Sequence, residues 1–238
     1  MIRRRSTAED AEDAEILFQE ELPLRPPRPL WWRAGLGAIA VATLFAFAPP
    51  AIAQDKGTIL FVGSSIFHRW TTLTTQMAPL PITNIAIDGT QTDDWLRVVD
   101  SRVIPLRPKV LAYYCGSNDV DAGVPADVVV ARIRQFIERV AKALPDTQIV
   151  VVSVNKAPEK QDRWDVVDDI NRQIQKYAGR NPRVTYVDVN PVLFNADGRS
   201  RIEFFMSDRL HLRPPAYEEF ARILKPVLTK ALEFDKSK

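Results

Sequence analysis

Five short runs of β-branched and aromatic residues, mostly apolar on both faces, recur after residue 55: TILFV (58–62), ITNIAI (82–87), KVLAYYC (109–115), TQIVVVSV (147–154) and RVTYVDV (183–189). A strand that is apolar on both sides must be covered on both sides, which is the condition of a parallel strand between two layers of helix. The stretches between and after these runs meet that demand. Helical patterns fall at 66–78, 92–101, 125–144, 163–180 and 214–232. In the third, Val129, Ile133, Phe136, Ile137 and Val140 recur at three- and four-residue intervals, one stripe against a sheet. Pro125 stands near its start, where a missing N–H costs nothing. The pattern predicts an α/β fold: a three-layer α/β/α sandwich with about five parallel strands and right-handed crossovers.

Charge and cysteine content then exclude whole classes of function. Lys and Arg total 32 against 30 Asp and Glu, a net charge of +2, so no nucleic-acid footprint is expected. One cysteine, Cys115, rules out an intrachain disulfide and a thiolate zinc cage, and His68 and His211 alone cannot form a His-rich metal site. Neither a metal nor a cofactor is expected. Cys115, directly before Gly116, reads as a buried strand-end thiol with no role.

The first quarter of the chain obeys other rules. No charge occurs from Ala34 to Gln54, and AGLGAIAVATLFAFA (34–48) is almost wholly apolar, so this segment is expected to insert into a membrane. Ala51-Ile52-Ala53 supplies a small-x-small cleavage pattern that would leave Gln54 first. Retention as an anchor is the other reading, since the uncharged stretch nearly reaches the roughly 20 residues that span a bilayer. Pro49 and Pro50 interrupt it, and the acidic AEDAEDAE (8–15) is unusual for a signal peptide. In both readings residues 1–33 are a disordered, proline-rich cytoplasmic leader and 34–53 are the signal or anchor segment. Residues 54–238 are then an exported domain, periplasmic or extracellular, with membrane contact only through the N-terminal segment.

Sites in open parallel sheets form at the carboxyl ends of the strands. Ser65, at the turn after the first run, has the placing of a nucleophile with its own N–H near a helix N-terminus; the competing reading is that Ser64 or Ser65 caps that helix. Gly89 can turn a backbone N–H into the crevice, or be a plain turn glycine. Asn118 can donate its side-chain amide to an oxyanion, or form an Asx turn in GSND, where Asp119 organises the loop. Asp208 and His211, in SDRLHL (207–212), can supply an orienting acid and a base; as an isolated pair they read equally well as a helix cap and a packed histidine. His68 lies along the same short helix as Ser65 and is poorly placed to take its proton. Trp70, Trp95 and Trp164 flank these loops and read as core anchors or as platforms for a sugar.

In order and spacing, LFVGSS, NIAIDG, GSND and SDRLH resemble the blocks of the SGNH/GDSL hydrolase superfamily over residues 58 to about 232. The resemblance implies a flavodoxin-like sandwich, with Ser65 as nucleophile, His211 as base and Asp208 as its orienting acid. It places the oxyanion hole at the N–H groups of Ser65 and Gly89 and the side chain of Asn118. Gly63-Ser64-Ser65 stands where the family name has Gly-Asp-Ser, similar to a GSSSxxxW branch whose tryptophan is matched by Trp70. Asp88 before Gly89 and the paired prolines of LHLRPPAY depart from the family pattern. The implied activity is hydrolysis of small acyl esters such as acetate, with a small-molecule or glycan ester as substrate. Acyl transfer on the same triad, or a non-catalytic glycan-binding role, are its rivals.

Overall fold

The computed structural model describes residues 58–234, so the expectations for the leader, the apolar segment and the cleavage point lie outside the described residues. Five parallel strands form one sheet: β1 (Ile59–Gly63), β2 (Ile82–Asn84), β3 (Val110–Tyr114), β4 (Gln148–Val152) and β5 (Val184–Val187), in the order β2-β1-β3-β4-β5. The three central strands are buried along their whole length. Alternation explains how: Ile59, Phe61, Ala112 and Tyr114 enter one core, while Leu60, Val62, Leu111 and Tyr113 enter the other. Helices α1 (Ser65–His68), α2 (Leu73–Met77) and α7 (Pro214–Glu233) close the first core. Helices α3 (Thr92–Val98), α5 (Ala126–Ala143) and α6 (Trp164–Ala178) close the second, with α4 (Ser117–Asp121) a short turn after β3. The predicted stripe of α5 is buried at all five positions. This is a flavodoxin-like α/β/α sandwich, and the chain reverses its winding between β1 and β3, which opens a crevice at their carboxyl ends.

Several elements differ from the sequence reading. The stretch 66–78 is two helices, because Thr71, Thr72, Thr74 and Thr75 are poor helix formers and Trp70 turns inward between them. Trp70 is 2% exposed, stacks on Tyr217 with ring centroids 5.0 Å apart and donates its indole N–H to Gln76 at 2.6 Å. The stretch 82–87 pairs regularly with β1 only over Ile82–Asn84, as an edge strand half open to solvent, although Ile85 and Ile87 still donate to Phe61 and Gly63 at 2.9 Å. Short helical turns at Pro158–Arg163, Asn190–Leu193 and Ile202–Phe204 add to the helical patterns of the sequence. Among the described residues, no helix is long and apolar enough to cross a membrane, and no group of three His, Cys, Asp or Glu side chains could hold a metal ion.

Candidate active site

Gly63 ends β1 and fixes how the chain leaves the sheet. Its φ of +151° suits glycine, and a Cβ there would lie 1.8 Å from the Tyr114 carbonyl oxygen. Its own carbonyl accepts from Ile87 N–H at 2.9 Å and from the Trp95 indole and Thr90 hydroxyl at 3.2 Å. The second loop is thereby fastened to the first. Ser64 then stands at the N-cap of α1, but its side chain makes no capping bond. Ser64 is 1% exposed and Ser65, the first residue of α1, 8%. Capping therefore does not account for this Ser-Ser pair.

Gly89 has φ +74° with open space where a Cβ would stand, so its backbone can face the crevice without obstruction. Asp88, the unexpected acid before it, is held by Arg69, which follows α1, with contacts of 2.9 and 2.8 Å to one carboxylate oxygen. Partial burial works against its charge, but the hydrogen bond and the charge of Arg69, with smaller contributions from His68 and His211, together outweigh it and keep its carboxyl below the ordinary range. Asn118, in α4, donates one amide N–H to the Thr90 carbonyl at 2.9 Å, which leaves the second N–H of that amide for another acceptor. The amide acts as a donor across two loops, not as the acceptor of an Asx turn. Asp119 is fully buried and accepts from the Thr92 N–H and hydroxyl at 2.9 and 2.6 Å, so it organises the loop as its position predicts. Cys115 is buried, and burial pushes its thiol well above its ordinary value.

Asp208 and His211 form a hydrogen-bonded pair: His211 Nδ1 lies 2.6 Å from Asp208 Oδ2. The other carboxylate oxygen accepts the N–H groups of Leu210 and His211 at 3.0 Å. A carboxylate only accepts, so Nδ1 carries the proton and Nε2 is the free ring nitrogen. The loop is closed by Met206 N–H to the His211 carbonyl at 2.7 Å and turns through Arg209 at φ 57°. Arg213, not Asp208, stands at the N-cap of α7, so the helix-cap reading of Asp208 does not hold. Burial works against a charged Asp208, but the His211 bond and the two N–H donors prevail and hold its carboxyl at about 2.

A folded-state value below the ordinary 3.8 means that ionised Asp208 stabilises the fold above roughly pH 4, and that this contribution is lost as pH falls toward the folded value. Asp208→Asn is thus expected to lower the urea midpoint at about pH 5, with the difference shrinking below roughly pH 4. A pH-independent difference would contradict the assignment.

Tyr217, in the first turn of α7, joins that helix to α1 by donating its hydroxyl to the Ile66 carbonyl at 2.9 Å. Sequence spacing gives no sign of that contact, nor of the Arg69–Asp88 pair. His68 is exposed, and its Nδ1 lies 2.8 Å from the Ala86 carbonyl, so it braces the second loop. Trp70 and Trp95 are core residues at 2% and 1% exposure; Trp164 is half-buried, with its indole N–H on the Ala157 carbonyl. Two grooves of about 600 Å³ lie elsewhere, one between α5 and α6 and one beside α2 and α7, and neither is lined by Ser65, Gly89, Asn118 or His211.

A serine turn at the switch point of a parallel sheet and an acid-held imidazole before α7 are parts that an α/β acyl hydrolase would use. The chain belongs to the GDSL-like lipase/acylhydrolase family, whose sequence profile matches residues 58–219, and it is a carboxylic ester hydrolase. Its fold is similar to that of a Streptococcus pneumonia protein provisionally described as a platelet activating factor (26% identity, 75% of this chain and 86% of that one, TM-score 0.65). It is also similar to a GDSL-like lipase from Bacteroides thetaiotaomicron (22%, 76% and 93%, 0.66). A third likeness is to an acetylxylan esterase from Geobacillus stearothermophilus (16%, 75% and 95%, 0.61). No relative is matched among curated proteins.

Proposed function

We propose that this chain is a serine esterase for small acyl groups, acting through Ser65, His211 and Asp208. One observation supports the reading: Asp208 and His211 are paired through Nδ1 just before α7, and the Tyr217 hydroxyl of α7 bonds to Ile66 of α1, the helix that begins at Ser65. Ser65 Oγ attacks the ester carbonyl carbon while its proton passes to His211 Nε2, and the carbonyl π electrons move onto oxygen. The resulting oxyanion is held by the N–H groups of Ser65 and Gly89 and the second N–H of Asn118. The tetrahedral intermediate collapses, the bond to the alcohol oxygen breaks, and His211 returns the proton to the leaving alkoxide. Water, deprotonated by His211, then releases the acid and restores Ser65. Asp208 keeps its negative charge throughout and steadies the imidazolium. The more exposed Ser65 is favoured over Ser64 as the reacting hydroxyl.

The short loops around the rim favour small acyl groups, and the likeness to an acetylxylan esterase points toward acetate on a carbohydrate. Among p-nitrophenyl esters, kcat/KM should be highest for acetate and fall by about tenfold or more at octanoate. A maximum at octanoate would overturn the small-acyl reading, and no turnover of any ester would overturn the esterase reading itself. A glycan hydroxyl that captures the acyl group in place of water would assign acyl transfer.

A further inference from the structure

The turn Pro158–Arg163, between β4 and α6, holds a charged side chain in an unusual place. Lys160 is 2% exposed, and among the described residues it is the buried cation, as Asp119 is the buried anion. Its backbone leaves the helical region (φ −106°, ψ 27°) and interrupts the turn. An ammonium taken out of water costs several kcal/mol unless its partners compensate. Here Nζ donates to the Ser117 carbonyl at 3.1 Å and meets an Asp121 carboxylate oxygen at 3.1 Å. Those partners are the first and last residues of α4, the helix that carries Asn118. Arg163 adds two bonds of 2.8 Å to the Val120 and Asp121 carbonyls. On the other side of the same turn, Glu159 donates its N–H to the carbonyl of Arg209, the neighbour of Asp208. One short segment therefore joins the helix bearing Asn118 to the loop bearing the acid and the histidine.

We infer that Lys160 is a positioning residue, which sets the placement of the Asn118 amide relative to His211 by clamping α4 against this turn; the inference rests on the esterase reading above. A buried ion pair is weak evidence for stability, since an apolar side chain of similar volume serves the fold about as well. Asp121 keeps 46% of its side chain in solvent, so it needs no buried partner. Placement is where the charge matters: its three donors can hold a carbonyl and a carboxylate together, which an apolar chain cannot.

The test uses the full chain with Lys160→Met and Lys160→Arg beside Ser65→Ala, on p-nitrophenyl acetate. Lys160→Met should keep the parental unfolding midpoint and a KM within about twofold, while kcat falls by about 10- to 100-fold, the scale of a misplaced catalytic group. Lys160→Arg, which keeps the charge, should recover part of that kcat. The inference is overturned if Lys160→Met has the parental kcat, changes KM alone, or fails to fold, and also if Lys160→Arg recovers nothing. A parent that turns over while Ser65→Ala does not keeps the esterase reading intact in each of those cases. Failure of the esterase reading shows instead as a parent without activity or a Ser65→Ala with all of it.

Discussion

Ser65→Ala should lower kcat on p-nitrophenyl acetate by about 10⁴-fold or more, while thermal unfolding and the circular dichroism spectrum stay parental. The hydroxyl contributes little to the core, and the turn that presents it is set by Gly63 and by the Ser64 N–H bond of 3.0 Å to the Tyr114 carbonyl. His211→Ala should lose a similar factor. The double variant should lose no more than either single one, because nucleophile and base act as a unit and the second deletion has nothing further to remove. A fluorophosphonate probe should label the parent and leave Ser65→Ala unlabelled. If both single variants hydrolyse at the parental rate, the assignment of Ser65 and His211 fails. Activity that moves to Ser64→Ala sensitivity would transfer the role to the preceding hydroxyl.

Gly63→Ala carries the largest expected effect on the fold. The added methyl would stand 1.8 Å from the Tyr114 oxygen and 2.7 Å from its carbonyl carbon, and both are backbone atoms of the adjoining strand. No rotamer change can relieve that clash, so β1 and β3 must separate where they are paired, at Gly63 and Tyr114. The Gly63 carbonyl would lose its bonds to Ile87, Thr90 and Trp95 in the same movement. A cost above about 4 kcal/mol is expected, a large part of the 5–15 kcal/mol that holds an ordinary domain together. Recovery of soluble protein and the denaturant midpoint would measure it. A variant as stable as the parent would mean that the first turn is shaped differently.

The sequence was most readable where one physical constraint acted alone. β1, β3 and β4 are apolar on both faces because both faces are covered, and their positions follow from that pattern almost residue for residue. The stripe of α5 was equally plain. Where constraints competed, the reading slipped. The threonines after Trp70 break a helix that hydrophobic spacing alone would continue, and β2, at the sheet edge, needs fewer paired residues than its apolar run suggests. At the site, Asp208 and His211 read by themselves as either an acid and base or a cap and a packed histidine, and it is the family resemblance that singles out the pair, which is in contact across three residues. Contacts made by long side chains across the fold left no trace in spacing. Lys160 reaches Ser117 across 43 residues, a contact that no spacing in the sequence announces. Asp88 looked anomalous in sequence because its partner, Arg69, lies on a different element.

The hydroxyl of Tyr217 meets Ile66 across 151 residues, and the helix that carries it is the last one described. Ribosomes make a chain from its N-terminus, so Phe61, Phe67 and Trp70 are synthesised long before the α7 residues that cover them. Until α7 emerges, this core is covered only in part, by α1 and α2. The closing of that core therefore waits on α7, the latest of the described helices to be synthesised.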